Sequence, residues 1–61
     1  MIEINEAAAL VKWIHQWKKT YSENPTIEEC FTWFEWQFKK KDLSENEKIS
    51  IRTILDFNSE N

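Results

Sequence analysis

Hydrophobic side chains recur every three or four residues along three stretches of the chain, the spacing of one face of an α-helix. The first stretch carries an apolar stripe made of Ala7, Leu10, Val11, Ile14, Trp17 and Tyr21. The second stripe consists of Ile27, Cys30, Phe31, Phe34 and Phe38, and the third of Leu43, Ile51, Ile54 and Leu55. The pattern predicts a small all-α unit of three helices, at about 5–21, 26–41 and 44–57.

Two of the predicted helix starts carry capping boxes. The sequence reads T-x-x-E at 26–29 and S-x-x-E at 44–47, and each motif directly follows a turn-prone segment. In such a box the hydroxyl accepts from the amide three residues on, and the Glu side chain accepts from the cap amide. The second and third helices are therefore expected to begin at these motifs.

The third helix has a competing interpretation. Residues 48–54 are rich in β-branched side chains that partly alternate, and Ile2 and Ile4 alternate as well. A short strand at 48–54 could therefore pair with residues 2–4, although a two-stranded ribbon alone is only marginally stable. The capping box at 44–47 favours the helix. The whole chain, 1–61, is predicted to be one domain with a frayed tail at 58–61.

Composition argues against most catalytic and metal-binding classes. The chain of 61 residues has no glycine, one cysteine and one histidine. A phosphate-binding loop, a dinucleotide-binding turn and a nucleophile elbow all need glycine. A Cys/His zinc site needs more ligands than these, and Cys30 lies on an apolar stripe, where it is expected to be a small core side chain. We expect no enzyme, no cofactor and no metal.

The N-terminal segment and the cysteine count bear on localisation. Residues 1–6 are acidic and lack the basic start of a signal peptide. No stretch approaches the roughly 20 apolar residues of a membrane span. A lone cysteine suits a reducing compartment. These features predict a cytoplasmic protein without a membrane partner.

Four tryptophans stand out in so short a chain. At about 100° per residue, Trp17 lies about 60° from Ile14, the centre of the first stripe, and is predicted to be core. Trp13 lies about 100° from that centre and is predicted to be a boundary residue. In the second helix Trp33 lies about 120° from the stripe, and Trp36 lies about 180° from it, on the opposite face. Either the second helix is central and packed on both sides, or Trp36 is exposed for a partner. We favour the partner, because tryptophan is enriched at interface hot spots.

The sequence therefore predicts a protein–protein interaction module. Apolar residues remain outside the stripes, and a contiguous patch of them would mark a binding surface. The residues expected to bind the partner are Trp36, Trp33, Trp13, Ile49 and Phe57. Because so short a chain buries little surface, a homodimer is expected to supply stability. By analogy of size and acidity, a phage- or mobile-element-type inhibitor or adaptor acting on a larger host or defence protein fits this description.

Nucleic-acid binding is the alternative function. Lysines at the ends of the first two predicted helices lie near aromatic residues and could follow a phosphate backbone: Lys18, Lys19, Lys39, Lys40 and Lys41. The net charge of −3, the isoelectric point near 5.0 and the single arginine count against it. The sequence favours a protein partner.

Overall fold

Three α-helices make up the computed structural model of the chain, which describes residues 2–59. They are α1 (Ile4–Tyr21), α2 (Ile27–Phe38) and α3 (Glu45–Asn58). No strand occurs within the described range, so the prediction of an all-α unit is confirmed and residues 48–54 are helical. Of the tail predicted at 58–61, Asn58 closes α3, and residues 60 and 61 lie outside the described residues.

Both predicted capping boxes are present. Thr26 Oγ1 accepts from the Glu29 amide at 3.1 Å, while Glu29 Oε1 accepts from the Thr26 amide at 2.8 Å. Ser44 and Glu47 form the same reciprocal pair at 3.2 and 2.8 Å. These bonds satisfy amides that a helix start leaves without intrahelical partners, and they set where α2 and α3 begin.

The ends of α1 and α2 use a left-handed residue that is not glycine. Ser22 follows α1 with φ 60°, and Lys39 follows α2 with φ 56°. This position is normally taken by glycine, and another residue there costs roughly 1–2 kcal/mol. Since the chain has no glycine, polar residues take its place. The turn at Lys39 ends α2 at Phe38, short of the predicted residue 41.

Helix α3 holds the other two helices together. It packs closely against both α1 and α2, whereas the backbones of α1 and α2 scarcely approach each other. The fully or nearly fully buried hydrophobic side chains all lie on the predicted stripes, and they are Leu10, Ile14, Cys30, Phe34, Leu43, Ile51 and Leu55. The central element is therefore α3 and not α2, and the face of α2 that carries Trp36 is exposed.

The observed core departs from the predicted one at several positions. Val11 and Trp17 lie on the first stripe but are only partly buried, and they are not among the side chains that pack against the core. Tyr21 lies on the first stripe but is 58% exposed, because it is the last residue of α1. Its ring still contacts that of Trp17, with centroids 4.5 Å apart. Conversely, Ile2, Trp13 and Trp33 lie outside the stripes yet pack against the core. The two tryptophans span the gap that α1 and α2 leave between them.

An ion-pair cluster joins the three helices at one end. Lys40 Nζ lies 2.7 Å from Glu47 Oε2 and 3.6 Å from Glu6 Oε2. The hydrogen bond from Lys40, assisted by the Ser44 amide, lowers the pKa of Glu47 to about 2. The same hydrogen bond raises the pKa of Lys40. Lys40 is thus engaged within the fold.

This cluster predicts a specific loss of stability in acid. Because the pKa of Glu47 is lower in the folded chain, its contribution is present above about pH 4.5 and is lost as the pH falls towards about 2. Thermal melts across this range should show a steeper fall in Tm for the wild type than for Glu47→Gln. Glu45→Gln, a change at an exposed carboxylate two residues earlier in the same helix, should follow the wild type. Parallel curves for all three proteins would contradict the assignment.

Candidate functional site

A groove of about 690 Å³ opens between α1 and α2, where their backbones diverge. All four tryptophans line it: Trp13 and Trp17 from α1, and Trp33 and Trp36 from α2. We call it the tryptophan groove. Among the described residues, none from α3 lines it. Its volume falls within the range of about 300–1,000 Å³ typical of ligand pockets.

Stacked indoles form the wall of the tryptophan groove. Trp13 and Trp33 stack with ring centroids 5.0 Å apart and planes 13° apart. Trp17 contacts Trp13 at 5.4 Å with a tilted ring. Such aromatic pairs contribute roughly 0.5–1.5 kcal/mol beyond the area they bury. The stack bridges α1 and α2 and holds the groove in a preformed shape.

Trp36 forms the exposed rim of the tryptophan groove. It lies almost one helical turn after Trp33 on α2, and its side chain is 75% exposed. The helical-wheel argument placed it opposite the stripe that carries Phe34, and Phe34 is fully buried. An exposed tryptophan next to a preformed aromatic wall offers a partner a large apolar surface.

Carboxylates and hydroxyls complete the lining. Glu28, Glu29, Thr26 and Thr32 line the groove, and no lysine or arginine of the described chain does. Glu29 uses Oε1 to accept from the Thr26 amide. Within residues 2–59, Glu28 makes no hydrogen bond or ion pair through its side chain. The charged part of the lining is therefore negative.

One polar atom in the groove wall is unsatisfied. The indole Nε1 of Trp17 is buried and has no hydrogen-bond acceptor within the described residues. A buried donor left in this way costs roughly 1–3 kcal/mol, and such atoms are rare in folded proteins.

The five residues predicted to bind a partner fall into two places. Trp13, Trp33 and Trp36 come together in the tryptophan groove. Ile49 and Phe57 are 58% and 80% exposed on α3 and do not line it. What the sequence grouped as one surface is therefore two separate surfaces in the fold.

Sequence reasoning did not assign Glu28, Glu29 and Thr32 to this site. The sequence assigned Glu29 only to the capping box at 26–29 and gave Glu28 and Thr32 no role. The signal that could have found them is helical spacing, because Glu28, Thr32 and Trp36 follow one another at steps of four residues. Side chains at that spacing lie along one side of a helix.

The lysines proposed for nucleic acid are dispersed. Lys18 donates to the Asn58 carbonyl at 2.9 Å, and Lys40 pairs with Glu47. Lys39 takes the left-handed position after α2. Lys19 and Lys41 are exposed. None of the five lines the tryptophan groove.

The buried cysteine has a protonated thiol. Burial, assisted by the charge of Glu29, raises the pKa of Cys30 to about 11. A thiol in this state is a poor nucleophile at neutral pH. The described residues contain no group of three or more His, Cys, Asp or Glu side chains placed to hold a metal ion. Within the same residues, no helix combines the length and the apolar character that a membrane crossing requires.

The chain matches no protein-family model, no curated protein and no solved structure.

Proposed function

We propose that this protein is a protein–protein interaction module that binds a larger protein through the tryptophan groove, with Trp36 as its main anchor. The observation that carries this proposal is the 75% exposure of Trp36 at the rim of a preformed aromatic groove. Tryptophans in such positions supply a large share of interface binding energy. The stacked Trp13 and Trp33 are already ordered, which lowers the entropic cost of binding.

The biological role we propose is that of a non-catalytic inhibitor or adaptor in the cytoplasm. A lone, buried cysteine suits a reducing compartment. The small size and acidic charge are those of the inhibitors that phages and mobile elements direct against host or defence proteins. A protein partner is favoured over nucleic acid, because the groove carries carboxylates and two of the five candidate lysines are engaged within the fold.

We also propose that the chain forms a homodimer through α3. Ile49 and Phe57 are exposed, lie about 80° apart around the helix axis and do not line the tryptophan groove. Their burial would add apolar area to a fold that is short of it. A dimer built in this way leaves the groove free for the larger protein.

Sedimentation equilibrium tests the dimer. We expect the wild type to associate at concentrations on the order of micromolar, and Phe57→Ala to shift it towards the 7.5 kDa monomer. Ile4→Ala removes an exposed apolar side chain from the start of α1 and should leave association unchanged. A wild type that stays monomeric at high concentration would rule out the dimer.

Affinity capture tests the binding module. Wild-type, Trp36→Ala and Ile4→Ala chains are immobilised at equal density and exposed to extract from the cells that encode the protein. We expect a discrete protein to be retained by the wild type and by Ile4→Ala, and to be lost with Trp36→Ala. Identical sets retained in equal amounts by all three chains would refute the role of Trp36.

A further inference from the structure

We propose that the tryptophan groove receives an arginine side chain of the partner protein. Its guanidinium lies against the indoles of Trp33 and Trp36 and pairs with the carboxylates of Glu28 and Glu29. This inference rests on the proposed function and specifies the chemistry of the partner at that site.

Charge complementarity is the first argument. The charged residues that line the groove are two carboxylates, with no cation of the described chain beside them. Glu28 has no side-chain partner within residues 2–59, and Glu29 commits only one oxygen, to its own helix cap. A partner cation would therefore meet negative charge without first displacing a positive one.

The distribution of the chain's own cations is the second argument. Lys40 Nζ lies 5.4 Å from the ring centroid of Phe34, and Lys48 Nζ lies 6.0 Å from that of Phe31. Within the described residues, no cation lies over any of the four tryptophans. Tryptophan is the strongest cation–π acceptor among the side chains. Trp13 and Trp33 cover one face of each other. The exposed ring of Trp36 and the outer face of the stack are therefore the indole surfaces that remain available to a cation.

Arginine fits this arrangement better than lysine. Its guanidinium is planar, stacks on aromatic faces and carries five donors that can reach a carboxylate at the same time. Trp33 lies four positions after Glu29, a rise of about 6 Å along α2. One long side chain of the partner can therefore contact both. The Thr32 hydroxyl also lines the groove and can accept one more hydrogen bond.

The test is an NMR titration that follows the four indole N–H signals. Two probes are added at fixed ionic strength: a tetra-arginine peptide, and a tetra-citrulline peptide of nearly the same shape without charge. We expect tetra-arginine to shift the Trp33 and Trp36 signals in a saturable manner. Tetra-citrulline should shift them at least about threefold more weakly, the ratio expected for an exposed cation–π contact together with a rim ion pair.

Two matched glutamate variants show which carboxylate of this protein attracts the peptide. Glu28→Gln should weaken tetra-arginine binding roughly threefold, because it removes one partner of the guanidinium. Glu45→Gln changes an exposed carboxylate on α3, outside the groove, and should leave the affinity within twofold of wild type. Both positions are exposed first-turn residues, so neither change threatens the fold.

Three outcomes would overturn the inference. Equal affinity for tetra-citrulline would mean that the groove does not select a cation. Equal weakening by both glutamate variants would mean general attraction to an acidic protein. Indole signals unmoved by either peptide would mean that the groove does not take an arginine. Each of these leaves the affinity-capture comparison free to support a protein partner of different chemistry, so this inference and the proposed function can fail separately.

Discussion

Replacing Phe34 by alanine should remove most of the stability of the fold. Phe34 is fully buried, with its ring centroid 4.8 Å from that of Phe38 and 6.5 Å from that of Trp33. Truncation of a buried phenylalanine costs about 3–5 kcal/mol, through lost burial and the cavity left behind. A domain of this length is stable by only roughly 3–9 kcal/mol. Phe34→Ala should therefore unfold at a much lower urea concentration than the wild type.

Urea unfolding followed by circular dichroism measures this effect. The matched control is Trp36→Ala, which truncates an exposed aromatic two residues further along the same helix and should shift stability by no more than about 0.5 kcal/mol. If Phe34→Ala unfolds at the same urea concentration as the wild type, then the Phe34 side chain does not contribute to the core in the way described.

Helix content could be predicted from the sequence because its signals are local. The hydroxyl–glutamate spacings at 26–29 and 44–47 identified two helix starts, and both boxes form. The end of α2 could not be predicted in the same way. It depends on the left-handed conformation of Lys39, and a lysine carries no signal for a conformation that glycine usually takes.

The buried core was predicted better than its edges. Periodicity identified every fully buried hydrophobic side chain of the described residues, since those side chains face the interior that the three helices enclose. Periodicity did not identify Trp13 and Trp33 as packed residues, because they fill the space between α1 and α2. That space depends on how α3 separates α1 and α2, which is a tertiary property and leaves no period in the sequence.

The candidate site was predicted in part. The helical wheel placed Trp36 opposite the buried stripe of the second helix. In the structure, Trp36 is the most exposed of the four tryptophans that line the groove. The sequence grouped Trp36 with Ile49 and Phe57 as residues that bind the partner. In the fold, Trp36 lies at the tryptophan groove, whereas Ile49 and Phe57 lie on α3 outside it. Sequence spacing places residues around one helix, but it does not place the outer side of α3 relative to the gap between α1 and α2.

Replacing Trp36 by alanine should weaken binding of the larger protein at least tenfold, equivalent to about 1.4 kcal/mol. Covering a large aromatic side chain contributes roughly 2–3 kcal/mol from area alone, and this side chain is 75% exposed in the isolated fold. Most of that contribution is thus still available to a partner. Trp36→Phe should recover part of the affinity, because a phenyl ring keeps some of the contact area.

The most direct test of the central claim, that Trp36 serves binding and not folding, is the dissociation constant of the captured protein for wild type and Trp36→Ala. It is measured on samples whose urea midpoints are also known. We expect the dissociation constant to rise at least tenfold while the urea midpoint stays unchanged. An unchanged dissociation constant would contradict this claim, because Trp36 would then belong to no binding surface. A urea midpoint that falls as far as that of Phe34→Ala would also contradict it, because Trp36 would then be part of the fold.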